Sequence, residues 1–363
     1  MFGGVGDVGN IDGRAEQPRV ARAGWRRGVG RLASRVAATT LLLACAAGCG
    51  TDRTSARPDG AAAAGISLID DAGQDVRLAA PASRIISLVP SATETLISIG
   101  AGDRIVARTR YDVAPEVAEL PSVGGGVDPS IEAIVDLRPD LVIAWEGEKR
   151  QLVREKLLAL GVPVFIVRTQ DTVDIYREIR SLGHLTGRDS AAGAVAASVR
   201  HTLDSLRRVV ADRPAPSVLY VVYNDPPMTA GPRSFIGQLI SLAGGRSIFA
   251  DSEQLWPTVA MEEIVRRDPD VLVIPMGEPM HNTVGRFQRL AGWRDLRAVR
   301  EGRIVQVPAD LMSRPSPSIA EAARILVEAF HPELAGRAEP RTGGAVATAV
   351  RSAPGAAPPD TAR

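Results

Sequence analysis

The sequence predicts an α/β protein made of two Rossmann-like lobes with parallel sheets, joined by one long linker helix, with a ligand cleft between the lobes. Two repeats predict the lobes. Residues 132–143 recur as residues 262–273, and both copies place an amphipathic helix before a proline and an apolar, β-branched strand. Residues 96–102 recur as residues 239–245, in the same order. Parallel strands direct their carboxyl ends the same way, so two such lobes can face each other across a cleft.

The amino-terminal region has the pattern of an export signal. Four arginines between residues 26 and 35 precede the apolar run 36–47, which is too short to span a bilayer as a mature helix. Small residues then lead into Cys49, an arrangement similar to the lipobox of bacterial lipoproteins. We therefore predict a signal over residues 1–48, a flexible tether over 49–65 and acylation at Cys49. Cys45 is an alternative acylation site, and an ordinary secretory signal without lipidation is the other interpretation.

The N-terminal lobe is predicted over residues 66–187. Residues 66–69 and 76–78 flank a turn and predict an edge hairpin. A buried strand over 84–89 runs into Pro90 and Ser91, and Ser91 with Glu94 predicts a capping box that starts a helix. Strands follow at 105–108, 141–145 and 164–167, and Asp128 with Pro129 predicts the start of the helix before the second of these.

The linker helix is predicted over residues 188–213, because no glycine or proline follows Gly193 until Pro214. The C-terminal lobe is predicted over 214–334. It begins with a strand over 218–223, continues through the repeated units and ends in a helix over 319–330. The composition of residues 335–363 predicts a disordered tail. A single rigid linker resists large hinge closure, so we expect a ligand to move the lobes only modestly.

Composition and motifs argue against several classes of function. The net charge is +1, with 43 basic and 42 acidic residues spread along the chain, so we expect no nucleic-acid partner. No phosphate-binding loop of the Gly-x-x-x-x-Gly-Lys type is present. The four histidines are scattered without the spacing of metal ligands or of a catalytic triad. We predict no catalytic residues, no metal site and no cofactor.

The scarce aromatic residues fall in loops at the predicted cleft. Trp145 directly follows a strand, Trp256 precedes the second repeat helix, and Tyr111 lies in a loop after another strand. Large flat side chains in such loops offer apolar contact to a flat ligand. Pro90 and Ser91 also follow a strand and should line the cleft. The alternative for each aromatic residue is that it caps the core of its own lobe.

Four segments resemble the class III solute-binding proteins of ABC importers, of the cobalamin-binding type. These segments are residues 140–145, 225–231, 248–252 with 256–257, and 310–317, and the resemblance extends over about residues 84–330. The resemblance implies a binding protein that passes its ligand to a membrane permease with an attached ATPase. Met228 stands where the family usually has a phenylalanine, and the loop 123–126 lacks an expected tryptophan.

The resemblance also implies roles for individual residues. Tyr111, Trp145 and Trp256 would contact the corrin ring, and Met228 would pack near it. Asp310 and Arg314 would meet the carboxamide side chains of the ring, which need both acceptors and donors. The alternative for that pair is a surface salt bridge at helical spacing.

Glu132 and Glu262 occupy equivalent positions in the two repeats. The resemblance implies that they dock onto arginines of the permease, with Glu263 as a possible substitute. The alternative is that both acids only stabilise helix N-termini.

The sequence as a whole predicts a monomeric, lipid-anchored binding protein of the cell envelope that captures cobalamin or a related corrinoid. The nearest alternative keeps the fold and binds a ferric siderophore or haem, which would meet Arg314 together with Arg108 or Arg110. A two-lobed enzyme and a ligand sensor for a membrane partner are the alternatives from other classes.

Overall fold

The computed structural model describes residues 65–277 and 283–335, without the side chains of residues 148–150. The predicted signal, the tether up to residue 64 and the tail from residue 336 therefore lie outside the described residues. The N-terminal lobe begins with an antiparallel hairpin, β1 (Ile66–Ile69) and β2 (Asp75–Leu78), which confirms the predicted edge hairpin. Its sheet is formed by four parallel strands: β3 (Ile85–Ser87), β4 (Ile105–Ala107), β5 (Leu141–Trp145) and β6 (Val164–Val167).

Helices connect the strands of this lobe and lead out of it. They are α1 (Pro90–Ser98), α2 (Ile131–Asp136), α3 (Glu148–Ala159), α4 (Thr172–Leu185) and the linker helix α5 (Asp189–Val210). One face of α5 is buried at intervals of three and four residues: Ala192, Ala196, Val199, Leu203, Leu206 and Val210. These side chains belong to a single apolar cluster that also contains residues of both lobes, such as Ile179 and Leu326. The linker is thus a packed part of the core.

The C-terminal lobe holds a second parallel sheet. Its strands are β7 (Ser217–Tyr220), β10 (Arg246–Ser247), β11 (Val271–Met276) and β12 (Ile304–Pro308), and a small hairpin of β8 (Tyr223–Asn224) and β9 (Pro227–Met228) follows β7. Its helices are α6 (Phe235–Leu242), α7 (Met261–Arg267), α8 (Val284–Phe287), α9 (Arg297–Arg300), α10 (Ala309–Ser313) and α11 (Ile319–Phe330).

The two sheets have the same strand order. The N-terminal sheet runs β4-β3-β5-β6 and the C-terminal sheet runs β10-β7-β11-β12. In each lobe the second strand therefore lies outside the first, and the third and fourth follow on the other side. The order of the strands changes direction between the first and the third strand of each sheet. Open α/β sheets bind ligands at such a position, at the carboxyl ends of the strands. The predicted fold class is confirmed, including the internal repeat.

Two local predictions were wrong. Helix α1 has Val89 as its N-cap with no side-chain cap, so Ser91 and Glu94 do not form a capping box. Helix α2 starts two residues after Pro129, with the hydroxyl of Ser130 accepting from the Ala133 amide at 3.2 Å. The N-cap is Ser130 and not Asp128, because an isolated bridge joins Gly124 and Pro129 and keeps the chain extended up to Ser130.

Candidate functional site

The carboxyl ends of the two sheets face each other between two sets of hydrogen bonds that join the lobes. On one side, Arg314 Nη1, just after α10, donates to Glu94 Oε1 on α1 at 2.9 Å, beyond the ends of β12 and β3. On the other side, the Thr172 amide donates to Gln238 Oε1 at 3.0 Å, and the Phe235 amide donates to the Gln170 carbonyl at 2.8 Å. The predicted ligand cleft would lie between these two joints.

The N-terminal lobe places four of the predicted contact residues at consecutive strand ends. Tyr111 follows β4, Pro90 and Ser91 follow β3, and Trp145 ends β5. Tyr111 is 56% exposed, and Pro90 and Trp145 are half-buried. Ser91 is only 3% exposed, so it offers little surface to a ligand. Tyr111 is therefore the accessible aromatic side chain of this wall, whereas Trp145 is only partly exposed and also packs against the apolar core.

The loop that carries Tyr111 is held by buried polar contacts. The amide and hydroxyl of Thr109 donate to Asp112 Oδ2 at 2.6 and 2.7 Å, and both residues are buried. The guanidinium of Arg110 lies 5.6 Å from the Tyr111 ring centre and pairs with Asp128 at 2.5 Å. A cation over an aromatic face is attractive, so Arg110 helps to orient the ring.

The C-terminal lobe brings Met228 and Trp256 together. Met228 and Thr258 form an antiparallel bridge, and the Thr229 amide donates to the Pro257 carbonyl at 3.0 Å. Met228 is half-buried and Trp256 is 39% exposed. The close approach of the two segments continues to Gly231, where a β-carbon would collide with the carbonyl oxygen of Gln254.

A chain of contacts links the two tryptophans across the lobes. Trp145 pairs with Val167 across β5 and β6, and the chain then continues to Gln170, which accepts the hydrogen bond from Phe235. Phe235 packs edge-on against Trp256, with ring centres 6.2 Å apart. This chain of contacts crosses from one lobe to the other and was not visible in the sequence.

Asp310 and Arg314 form the salt bridge that the sequence analysis gave as the alternative to ligand contact, but only one of the two side chains lies at the surface. The two side chains meet at 2.8 Å, with Asp310 61% exposed and Arg314 only 10% exposed. Arg314 also donates to the Tyr111 carbonyl at 2.8 Å and to Glu94. Asp310 is thus open to a ligand, whereas Arg314 is shared between both lobes.

Glu94 is the residue that the sequence analysis missed as part of this site. Ser316 Oγ donates to Glu94 Oε2 at 2.6 Å, and Ser318 Oγ lies 3.4 Å from the same oxygen. A half-buried acid on an otherwise buried face of α1 was the available signal, because such a carboxylate needs a donor.

Glu132 and Glu262 are both exposed and lie in the first turns of α2 and α7. Neither side chain has a hydrogen bond or ion pair among the described residues. The neighbouring Glu263 differs, because it pairs with both Arg266 and Arg267. Those pairs hold the pKa of the Glu263 carboxyl below its ordinary value. Glu263 is therefore a poor substitute for Glu262 in docking.

Two cavities lie outside the predicted cleft. One of about 450 Å³ adjoins Glu262 and is lined by Met261, Val265, Ala291 and Gly292. Another of about 630 Å³ lies between the end of α5, helix α6 and strand β10. Within the part of the chain that the structure describes, no helix is long and apolar enough to cross a membrane, and no group of three or more acidic, histidine or cysteine side chains could hold a metal ion. Cys49 lies outside that part.

Comparisons with known proteins agree on one family. The sequence profile described as periplasmic binding protein matches residues 85–311. A vitamin B12-binding protein of Vibrio cholerae is 31% identical over 244 residues, which cover 67% of this chain and 87% of that protein.

Solved structures extend the comparison. The periplasmic vitamin B12 binding protein of Vibrio cholerae has a TM-score of 0.59 at 30% identity, covering 70% of this chain and 99% of that one. An ABC-type Fe³⁺-hydroxamate transport protein from Saccharomonospora viridis has a TM-score of 0.60 at 26% identity, covering 73% and 99%.

Proposed function

This chain belongs to the periplasmic binding protein family, and on that premise we propose that it captures cobalamin or a related corrinoid between its lobes. It then delivers the ligand to the permease of an ABC importer, which an ATPase drives. The binding step is non-covalent and the protein is not an enzyme.

One observation carries the ligand assignment: accessible aromatic side chains stand on both walls of the cleft. Tyr111 and Trp145 lie on the N-terminal wall, and Trp256 lies on the C-terminal wall with Met228 beside it. A corrin is a broad, flat ring with an apolar surface, and it can bury large apolar areas against rings of this kind. The thioether of Met228 adapts to an irregular surface.

The periphery of a corrinoid carries carboxamides, and the exposed carboxylate of Asp310 can accept their N–H groups. The 31% identity to a vitamin B12-binding protein supports the same ligand class. The 26% identity to a ferric hydroxamate transport protein supports a ferric siderophore as the second candidate.

Delivery would use Glu132 and Glu262. Both carboxylates are exposed and unpaired among the described residues, whereas the neighbouring Glu263 pairs with Arg266 and Arg267. One free acid on each lobe, at equivalent positions of a repeated unit, suits a permease with two-fold symmetry that offers an arginine to each. Acylation at Cys49 would tether a monomer to the cell envelope and keep it near the permease.

The experiment is a calorimetric titration of the purified chain with cyanocobalamin, a ferric hydroxamate and haem. Sub-micromolar binding of cyanocobalamin, with much weaker binding of the other two, is the expected result. Tight binding of the ferric hydroxamate or haem with no response to cyanocobalamin would overturn the ligand assignment.

A further inference from the structure

The guanidinium of Arg314 is held by three acceptors from both lobes. Nη1 donates to Glu94 at 2.9 Å, and Nη2 donates to Asp310 and to the Tyr111 carbonyl, each at 2.8 Å. The side chain is only 10% exposed. Arg314 therefore has its charged end occupied before any ligand arrives.

The charges of this cluster sum to a negative value. Two carboxylates, Glu94 and Asp310, surround one guanidinium, while Ser316 and Ser318 add only neutral hydroxyls. A ligand carboxylate entering here would meet two like charges and a guanidinium that already donates to three acceptors. Like charges in a partly buried site disfavour each other, and a buried carboxylate without donors is costly.

Other arginines at the rim of the N-terminal wall are also engaged. Arg110 pairs with Asp128 at 2.5 Å and Arg168 with Glu146 at 3.3 Å. Arg108 donates to the carbonyls of Ala118 and Thr109 at 3.2 and 3.1 Å. The arginines that could have received an anionic ligand thus have partners within the protein.

We propose that Glu94 determines the charge class of the ligand by holding Arg314 in this paired state. With Arg314 neutralised, the cleft accepts a ring with uncharged carboxamides and rejects the same ring with carboxylates. Asp310 supplies the exposed acceptor for the amide N–H groups. This inference rests on the proposed function and adds to it the chemical class of side chain that the cleft selects.

The test uses a pair of ligands that differ in one group: cyanocobalamin, and its derivative with one propionamide hydrolysed to a carboxylate. The purified chain, Glu94→Gln and Glu155→Gln are titrated with both. Glu155 is an exposed acid on α3 and serves as the matched control. We expect the unmodified chain to prefer the amide by about tenfold or more, as expected for a like-charge clash.

Glu94→Gln should reduce that preference by about tenfold, because it leaves Arg314 with a single carboxylate partner. Glu155→Gln should leave the preference for the amide unchanged. A substitution that only loosens the contact between the lobes would weaken the binding of both ligands alike. The ratio of the two Kd values therefore distinguishes a positioning role of Glu94 from a general loss of structure. Asp310→Asn is the second variant, since an exposed side chain can change without unfolding the protein. It should also reduce the preference for the amide over the carboxylate.

If the ratio of the Kd values for the carboxylate and the amide is the same in the unmodified chain and in Glu94→Gln, the inference is overturned. If neither corrinoid binds, the proposed function fails, and the inference is measured on an iron porphyrin dicarboxylate and its diamide instead. Preference for the diamide that depends on Glu94 supports the inference in that case. Preference for the dicarboxylate, or no binding of any of the four ligands, overturns it.

Discussion

Asp270 and Ser217 exchange three hydrogen bonds at the amino ends of β11 and β7. Asp270 Oδ2 accepts from the amide and the hydroxyl of Ser217 at 2.8 and 2.7 Å, and the Asp270 amide donates to that hydroxyl at 2.9 Å. In the other lobe Asp140 Oδ2 accepts from the amide and hydroxyl of Ser83, both at 2.8 Å. The repeated Pro-Asp pair thus fastens the first and third strands of each sheet, at the end away from the cleft.

Asp270→Ala should lower the free energy of unfolding by about 1–3 kcal/mol, because it leaves the partly buried donors of Ser217 without their acceptor. Urea unfolding followed by circular dichroism measures this change. Asp103→Ala is the control, since Asp103 is exposed and has no partner among the described contacts. Equal effects of the two substitutions would contradict the role given to the Pro-Asp pair.

Trp256→Ala should raise the Kd for cyanocobalamin by about tenfold or more, since it removes an exposed aromatic surface of the C-terminal wall. Trp145→Ala should act in the same direction from the other wall. Leu158→Ala, an exposed apolar residue on α3, should leave the Kd unchanged. Calorimetric titration of the three variants provides the comparison, and an unchanged Kd in both tryptophan variants would exclude this cleft.

Substituting both docking acids should separate delivery from binding. The double variant Glu132→Gln, Glu262→Gln should retain its Kd for the ligand and lose most of its support of uptake, because both acids are exposed and neither is a predicted ligand contact. Uptake of labelled cobalamin by cells that carry the matching permease is the measurement. The Glu116→Gln control alters another exposed acid of the same chain and should leave uptake intact. Normal uptake by the double variant would disprove docking through these residues.

The contribution of Glu178 to the stability of the protein should fall as the pH rises from 5 to 8. Burial raises the pKa of Glu178 to about 7, although a hydrogen bond from Thr169 at 2.5 Å opposes this. The folded chain therefore holds a proton there that the unfolded chain releases at its ordinary pKa, near 4.5. The stabilisation is complete below the unfolded pKa and disappears as the pH passes the folded pKa, a loss of about 2–3 kcal/mol.

Glu178→Gln should remove most of this pH dependence, because the amide does not titrate. The measurement is urea unfolding of both proteins at pH 5 and pH 8. His184→Gln is a suitable control, since His184 is an exposed titratable group on the same helix. An identical pH dependence in Glu178→Gln and the parent chain would show that Glu178 titrates normally.

The fold could be predicted from the sequence because the same pattern of elements occurs in both lobes. Helix, proline and strand recur in order, and local signals of this kind are short in range. Local reasoning failed at Glu94, which looked like a capping residue for α1. Its partners Arg314 and Ser316 lie 220 and 222 residues further along the chain, so only the folded topology brings them together.

In the candidate site, too, local sequence patterns predicted some residues, whereas contacts between the lobes could not be predicted. Tyr111, Trp145 and Trp256 were predicted from their positions after strands or before a repeat helix, which local pattern can indicate. The contact between Phe235 and the Gln170 carbonyl, which aligns the two walls, depends on how the lobes pack along α5. The engaged state of Arg314 has the same origin, since it is a property of both lobes together.

The central claim, that a corrinoid lies between the two lobes at the carboxyl ends of their sheets, is tested most directly by a crystal structure of the complex with cyanocobalamin. We predict the corrin ring between Trp145 and Trp256, with Asp310 accepting from a carboxamide and Arg314 still paired with Glu94. A corrinoid seated elsewhere, such as in the 630 Å³ cavity beside the end of α5, would contradict the account.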